Sequence, residues 1–149
     1  SDPLKLLAET GLGYLTLGQA SNTLSGGEAQ RLKLVTELIK GRRVSRNALM
    51  KGKELPGDLY LIEEPSIGLH PRDVRLLIDV LHRLADQGNT VIVIEHNTEI
   101  MAEADYIIDM GPGPGEEGGR IVASGTPEQI AQKDSPTAEY IRRELVDSK

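Results

Sequence analysis

Two short apolar runs, each closed by acidic residues and separated by one amphipathic stretch, constrain this chain most. The first is Asp58-Leu59-Tyr60-Leu61-Ile62-Glu63-Glu64-Pro65, and the second is Thr90-Val91-Ile92-Val93-Ile94 followed by Glu95-His96-Asn97. Four apolar residues in a row at 59–62 predict a short strand buried on both faces. Between the runs, Pro71 occupies the first helical position, and Val74, Leu77, Ile78, Leu81 and Leu84 make one apolar face up to about Asp86. Gly88-Asn89 ends that helix. Strand, long helix, strand is the βαβ unit of a parallel sheet. Both strands then end on the same edge, which brings His96 towards Glu64.

That edge is where open α/β sheets bind ligands. Acids commonly follow strands, so the pair alone decides little. Where a nucleotide is the ligand, an acidic residue ending such a strand helps hold Mg²⁺, and a neighbouring carboxylate can position or deprotonate an attacking water. A second stretch points the same way: Leu24-Ser25-Gly26-Gly27-Glu28-Ala29-Gln30-Arg31. Ser25 and Glu28 have capping-box spacing, and Leu32, Leu34, Val35, Leu38 and Ile39 form an apolar stripe behind them. The spacing predicts a glycine-bearing turn at the start of a helix of about fifteen residues. Free N–H groups and the positive dipole end of such a turn suit a phosphate. Two adjacent glycines cost helix stability and are not needed for a cap.

The remaining segments are plainer. Asp2-Pro3 starts a short helix over 4–9, and Gly11, Gly13 and Gly18 then break regular structure. Residues 40–57 read as a basic loop or insertion, with Lys40, Arg42, Arg43, Arg46, Lys51 and Lys53 against the single acid Glu54. A short helix over 98–104 precedes a third strand at 106–110, and Gly111 to Gly119 reads as a wide turn. Arg120 to Ser124 is a final strand antiparallel to the third, followed by helices beginning at Thr126-Pro127 and Ser135-Pro136. No linker suggests a second domain.

Composition removes several function classes. The 149 residues contain no Phe and no Trp, which argues against a base-stacking nucleic-acid platform. A net charge of −6 does not favour DNA binding by the whole surface. With no cysteine there is neither a disulfide nor a thiolate metal site, as suits a reducing cytosol. No apolar run approaches a membrane span, and no signal peptide is visible. A soluble, cytoplasmic chain without a membrane partner is expected.

Together the stretches resemble the motif set of ATP-binding-cassette (ABC) ATPases. Leu24 to Glu28 looks like their signature motif, Leu59 to Glu64 like the Walker B strand with its catalytic glutamate, Ser66 to Leu69 like the D-loop, and His96 like the switch histidine. Within that family the chain is most similar to the UvrA-like excinuclease proteins. The likeness is carried by Gly13 to Gln19, Gly26 to Arg31, Glu64 to His70, Gly88 to Asn97, Ile108 to Pro112 and Gly125 to Glu128.

The resemblance implies an α/β fold, part of a P-loop NTPase cassette. Its mainly parallel sheet would be flanked by helices, with a C-terminal β-hairpin and helices. The cassette would divide into a signature helix at 24–40, a basic insertion at 40–57, a core at 58–110 and a tail at 111–149. No G-x-x-x-x-G-K-[ST] phosphate loop occurs, and the cysteine-ligated zinc modules of UvrA-like proteins have no residues here. The expectation is therefore the latter part of a cassette, the C-terminal one, whose phosphate loop lies upstream. The resemblance further implies ATP and Mg²⁺, a second cassette within the molecule and in a homodimer, double-stranded DNA and a UvrB-like partner. Ser25, Gly26, Gly27 and Glu28, with Ser66 and Gly68, would serve nucleotide binding. Glu63 would hold Mg²⁺ through water, Glu64 would act on the attacking water, and His96 would sense the γ-phosphate. Glu63 stands where the family usually has Asp, which moves the carboxylate outward by about 1.5 Å. Alone, the chain is expected to be inactive. The alternatives are the nucleotide-binding part of an ABC transporter and a non-catalytic UvrA-like interaction module.

Overall fold

The computed structural model describes residues 3–8, 12–16, 18–20, 23–49, 57–111 and 118–147. They fall into two compact units, Ser1–Glu95 and His96–Lys149. In this division the third strand falls in the second unit. The reason is pairing: the third strand joins the C-terminal hairpin and not the parallel pair.

In the first unit, helices α1 (Pro3–Leu7) and α2 (Gly26–Leu49) precede strand β1 (Leu59–Glu63), helix α3 (Pro71–Ala85) and strand β2 (Thr90–Ile94). β1 and β2 pair in parallel, in register from Leu59↔Thr90 to Glu63↔Ile94, so the βαβ expectation holds. α3 buries Val74, Leu77, Ile78, Leu81 and Leu84, the predicted stripe, and Val80 besides. Leu77 and Leu84 are fully inaccessible. Such burial is worth about 2 kcal/mol for each side chain. Pro71 sits at the first turn as expected, and His70 caps it, Nδ1 accepting from the Arg72 N–H at 3.2 Å. At the far end the Asn89 amide donates to the Leu84 carbonyl and its Oδ1 accepts the Asp58 N–H, which ties the end of α3 to the entry of β1. A Cβ at Gly57 would lie 1.8 Å from the Gly88 carbonyl oxygen, so that crossing admits only glycine.

Two expectations fail in this unit. α2 continues to Leu49, well past the expected end near 40, so 40–49 is helix and not loop. Lys40 to Leu49 holds no proline and only Gly41 as a breaker, so nothing local stops the helix. Residues 50–56 lie outside the described residues. The Leu59–Ile62 strand, in turn, is not buried on both faces. Ile62 is buried, but Leu59 and Leu61 are 60% and 72% exposed, and Ile92 and Ile94 are also exposed. Alternation along a strand puts these on one face. Among the described residues only the other face is covered.

In the second unit, α4 (Thr98–Ala102) leads to the antiparallel strands β3 (Ile107–Gly111) and β4 (Arg120–Gly125), then α5 (Pro127–Ala131) and α6 (Pro136–Asp147). The hairpin is as expected, and its register shifts between Asp109 and Met110. The wide turn expected at 111–119 lies mostly outside the described residues. Ile107, Ala123, Ile130 and Ile141 form the core, with Met101, Ala104, Ala131 and Leu145 packed around it. Thr126 and Gln129 close a reciprocal capping box at α5. The α/β class is as expected, with one parallel pair and one antiparallel pair among the described residues. No helix among them is long and apolar enough to cross a membrane.

Candidate active site

The start of α2 is the capping box that the spacing predicts. The Ser25 N–H donates to Glu28 Oε2 at 2.7 Å, and the Glu28 N–H donates to Ser25 Oγ at 3.3 Å. Tyr14 donates its phenol proton to the other carboxylate oxygen of Glu28. That bond, then the bond from Ser25, holds the Glu28 carboxyl below the usual carboxylate range, and the same contact with Glu28 raises the Tyr14 phenol. Glu28 also gains from the positive end of the helix dipole. Because Ser25 Oγ accepts in the cap, its own proton stays available to a further acceptor.

The two glycines of the turn differ. A Cβ at Gly26 would meet nothing within 4 Å. At Gly27 it would lie 3.1 Å from Arg31 Nη1 and 3.3 Å from the Ile67 carbonyl oxygen. Gly27 thus packs closely against the turn that follows β1. Gly26 is open towards solvent, where a phosphate could approach its backbone.

The backbone of that turn is held by several long-range bonds. Glu63 ends β1 in register with Ile94 and is exposed; its carbonyl accepts the Gln30 amide at 3.0 Å. Glu64 has φ of +43°, the one non-glycine residue with positive φ among those described. Such a conformation costs about 1–2 kcal/mol in an L-residue and clusters at functional sites. The Glu64 N–H donates to the Ile94 carbonyl at 2.8 Å, so the strand pairing runs one residue past β1. Pro65 is buried, and its carbonyl accepts from Nη1 of the buried Arg31 at 3.4 Å. The Ser66 N–H donates to Glu95 Oε1 at 2.8 Å, and Gly68 turns the chain at φ +72°. Glu64 itself is half-buried, at the C-terminal end of the parallel pair.

The first unit therefore gathers Gly27, Glu63, Glu64 and Ser66 around one turn, with Ser25, Gly26 and Glu28 at the helix start whose next turn contacts it. His96 is exposed and follows Glu95 directly, as the first residue of the second unit. Sequence reasoning gives no role to Gln30, Arg31 or Glu95, which hold the turn, nor to Tyr14, which holds the cap. Only Arg31 leaves a readable sign: a charge on the apolar side of a helix is rarely buried without a job. No group of three or more His, Cys, Asp or Glu that could hold a metal by itself occurs among the described residues.

No family model matches the chain. The chain is 53% identical over 143 residues to UvrABC system protein A of Aquifex aeolicus, covering 95% of this chain and 14% of that protein. It is 51% identical over 140 residues to UvrABC system protein A of Thermus thermophilus, covering 94% of this chain and 13% of that one. In three dimensions it matches the crystal structure of UvrA2 from Deinococcus radiodurans with a TM-score of 0.81 and 48% identity, over 96% of this chain and 16% of that chain. The chain is UvrA-like. The UvrA-like segment spans about a seventh of the length of these relatives, and the matches cover nearly all of it.

Proposed function

We propose that this chain is the latter part of an ATP-hydrolysing cassette in a UvrA-like protein of nucleotide excision repair. The observation that carries the reading is the Glu64 turn: a strained, half-buried glutamate at the C-terminal end of a parallel strand, braced by the helix that bears the signature motif. Glu64 accepts a proton from water as that water attacks the γ-phosphorus; the bond to the β-phosphate oxygen breaks, and ADP leaves. Ser25 and the open N–H groups beside Gly26 bind the γ-phosphate of a nucleotide held by another cassette. Ser66 and Gly68 form the D-loop, and His96, one residue past Glu95, senses the γ-phosphate. Mg²⁺ is usually bound by one or two carboxylates together with substrate phosphates, so Glu63 fits as a ligand without a three-residue cluster. When bound, the ion neutralises charge developing on the phosphates.

Positioning and charge account for nearly all of phosphoryl transfer, so the 149-residue chain without a phosphate loop hydrolyses no ATP. Turnover by the purified chain that disappears in Glu64→Gln would refute that. In the complete protein the reading predicts ATP turnover that responds to double-stranded DNA, with a second cassette and a UvrB-like protein as partners. Turnover that responds to a membrane protein and ignores DNA would favour a transporter ATPase instead. The non-catalytic reading rests on Glu63: if Glu63→Asp restores Mg²⁺-dependent ATP affinity that the natural protein lacks, this cassette is a weakened one.

A further inference from the structure

Glu95 has no part in the roles above, yet it makes a bond that pins the Glu64 turn to the end of β2. The Glu64 N–H is bound by the Ile94 carbonyl and the Ser66 N–H by the Glu95 carboxylate, both at 2.8 Å. The first bond continues the strand pairing and needs only backbone. The second needs a side-chain acceptor of this length at this position. Between the two pins lies the positive φ of Glu64. An unfavourable backbone conformation persists only where its surroundings over-determine it. Removing the Glu95 bond leaves the strain and takes away part of the restraint.

We infer that Glu95 is a positioning residue: its carboxylate holds the Ser66 amide and thereby fixes the direction of the Glu64 carboxylate. A bond from a charged acceptor to a backbone N–H is among the stronger kinds. It also joins the residue immediately before His96 to the turn that carries Glu64, so displacement of the end of β2 is passed to the water-positioning carboxylate through one hydrogen bond. The inference rests on the proposed ATPase reading and adds a residue to it.

The test uses the complete protein that carries this segment, with Glu95→Ala, Glu95→Gln and Glu64→Gln compared. Steady-state ATP turnover, ATP affinity and thermal midpoint are measured for each. Glu95→Ala should lower kcat by about 10- to 100-fold, the scale of a misplaced catalytic group, with KM and the midpoint little changed. Glu95→Gln keeps an acceptor oxygen and should restore most of the loss. Unchanged kcat in Glu95→Ala would overturn the inference. So would a loss of affinity and midpoint in both variants, which would mark a merely structural residue. If the natural protein turns over no ATP, or Glu64→Gln is as active, the ATPase reading itself has failed. If Glu64→Gln is inactive while Glu95→Ala is normal, only the role of Glu95 is lost.

Discussion

Both units of this chain bury an apolar core, but their long-range polar bonds end on different groups. In the first, long-range polar bonds converge on a few backbone groups: Gln30 on the Glu63 carbonyl, Arg31 on the Pro65 carbonyl, and Glu95 on the Ser66 amide. In the second, the caps are local, a long-range bond from the Thr98 hydroxyl to Glu144 Oε2 at 2.9 Å joins two side chains, and Ile130 and Ile141 are wholly buried at the centre. A neutral hydrogen bond such as that of Gln30 contributes about 1 kcal/mol on balance, and one to a charged group such as Arg31 or Glu95 about 1.5–3, whereas a buried isoleucine removed to alanine costs about 2–5 kcal/mol. The first unit thus adds, to a core of its own, bonds that hold a backbone in a conformation it would otherwise leave.

That contrast can be broken by substitution. Ile141→Ala should give the largest loss of stability, about 2–5 kcal/mol, read as lost hydrogen-exchange protection across 107–145. Unchanged protection there would mean that the second core is not what holds that unit. Gly27→Ala places a methyl 3.1 Å from Arg31 Nη1 and 3.3 Å from the Ile67 carbonyl oxygen, so these neighbours must give by a few tenths of an ångström and the exchange of the 64–69 turn should shift; unaltered exchange there would mean that the helix start and the turn are not coupled. Gly26→Ala meets open space and should leave the fold intact. A fall in ATP turnover in that variant then reports close approach of a phosphate, and unaltered turnover would remove Gly26 from the site.

The smallest effect concerns the cap of α2. Glu28 is held below its ordinary range chiefly by Tyr14, so its contribution is present at neutral pH and is lost as pH falls through the lowered value. Tyr14→Phe should return the Glu28 titration upward towards that of an ordinary glutamate, followed by carboxyl NMR. A titration that does not move would mean that Ser25 alone sets it.

Much of this can be read from residue order. The α3 stripe from Val74 to Leu84, Pro71 at its start and the Ser25/Glu28 box each follow from local rules that tertiary context leaves standing. The run of α2 to Leu49 escapes because dense charge suggests a loop, although arginine, lysine and alanine are good helix formers. Leu59 and Leu61 mislead in another way. A continuous apolar run is consistent with cover on two faces, but the described residues cover one. The bracing of Glu64 is invisible for a deeper reason: Gln30, Arg31 and Glu95 meet the turn across separations of 29 to 34 residues, which no periodicity encodes. The candidate motif residues stand out by their spacing. Of the residues that hold them, only Arg31, on the apolar side of its helix, leaves a sign.

The sharpest test of the Glu64 turn as a catalytic element is single-turnover ATP hydrolysis by the complete protein, natural and Glu64→Gln. ATP binding should be retained in the variant and its hydrolysis rate lowered about 10²- to 10⁴-fold, the range of a lost general base. Equal rates in the two proteins would contradict this, because the carboxylate on the strained turn would then have no part in the chemistry.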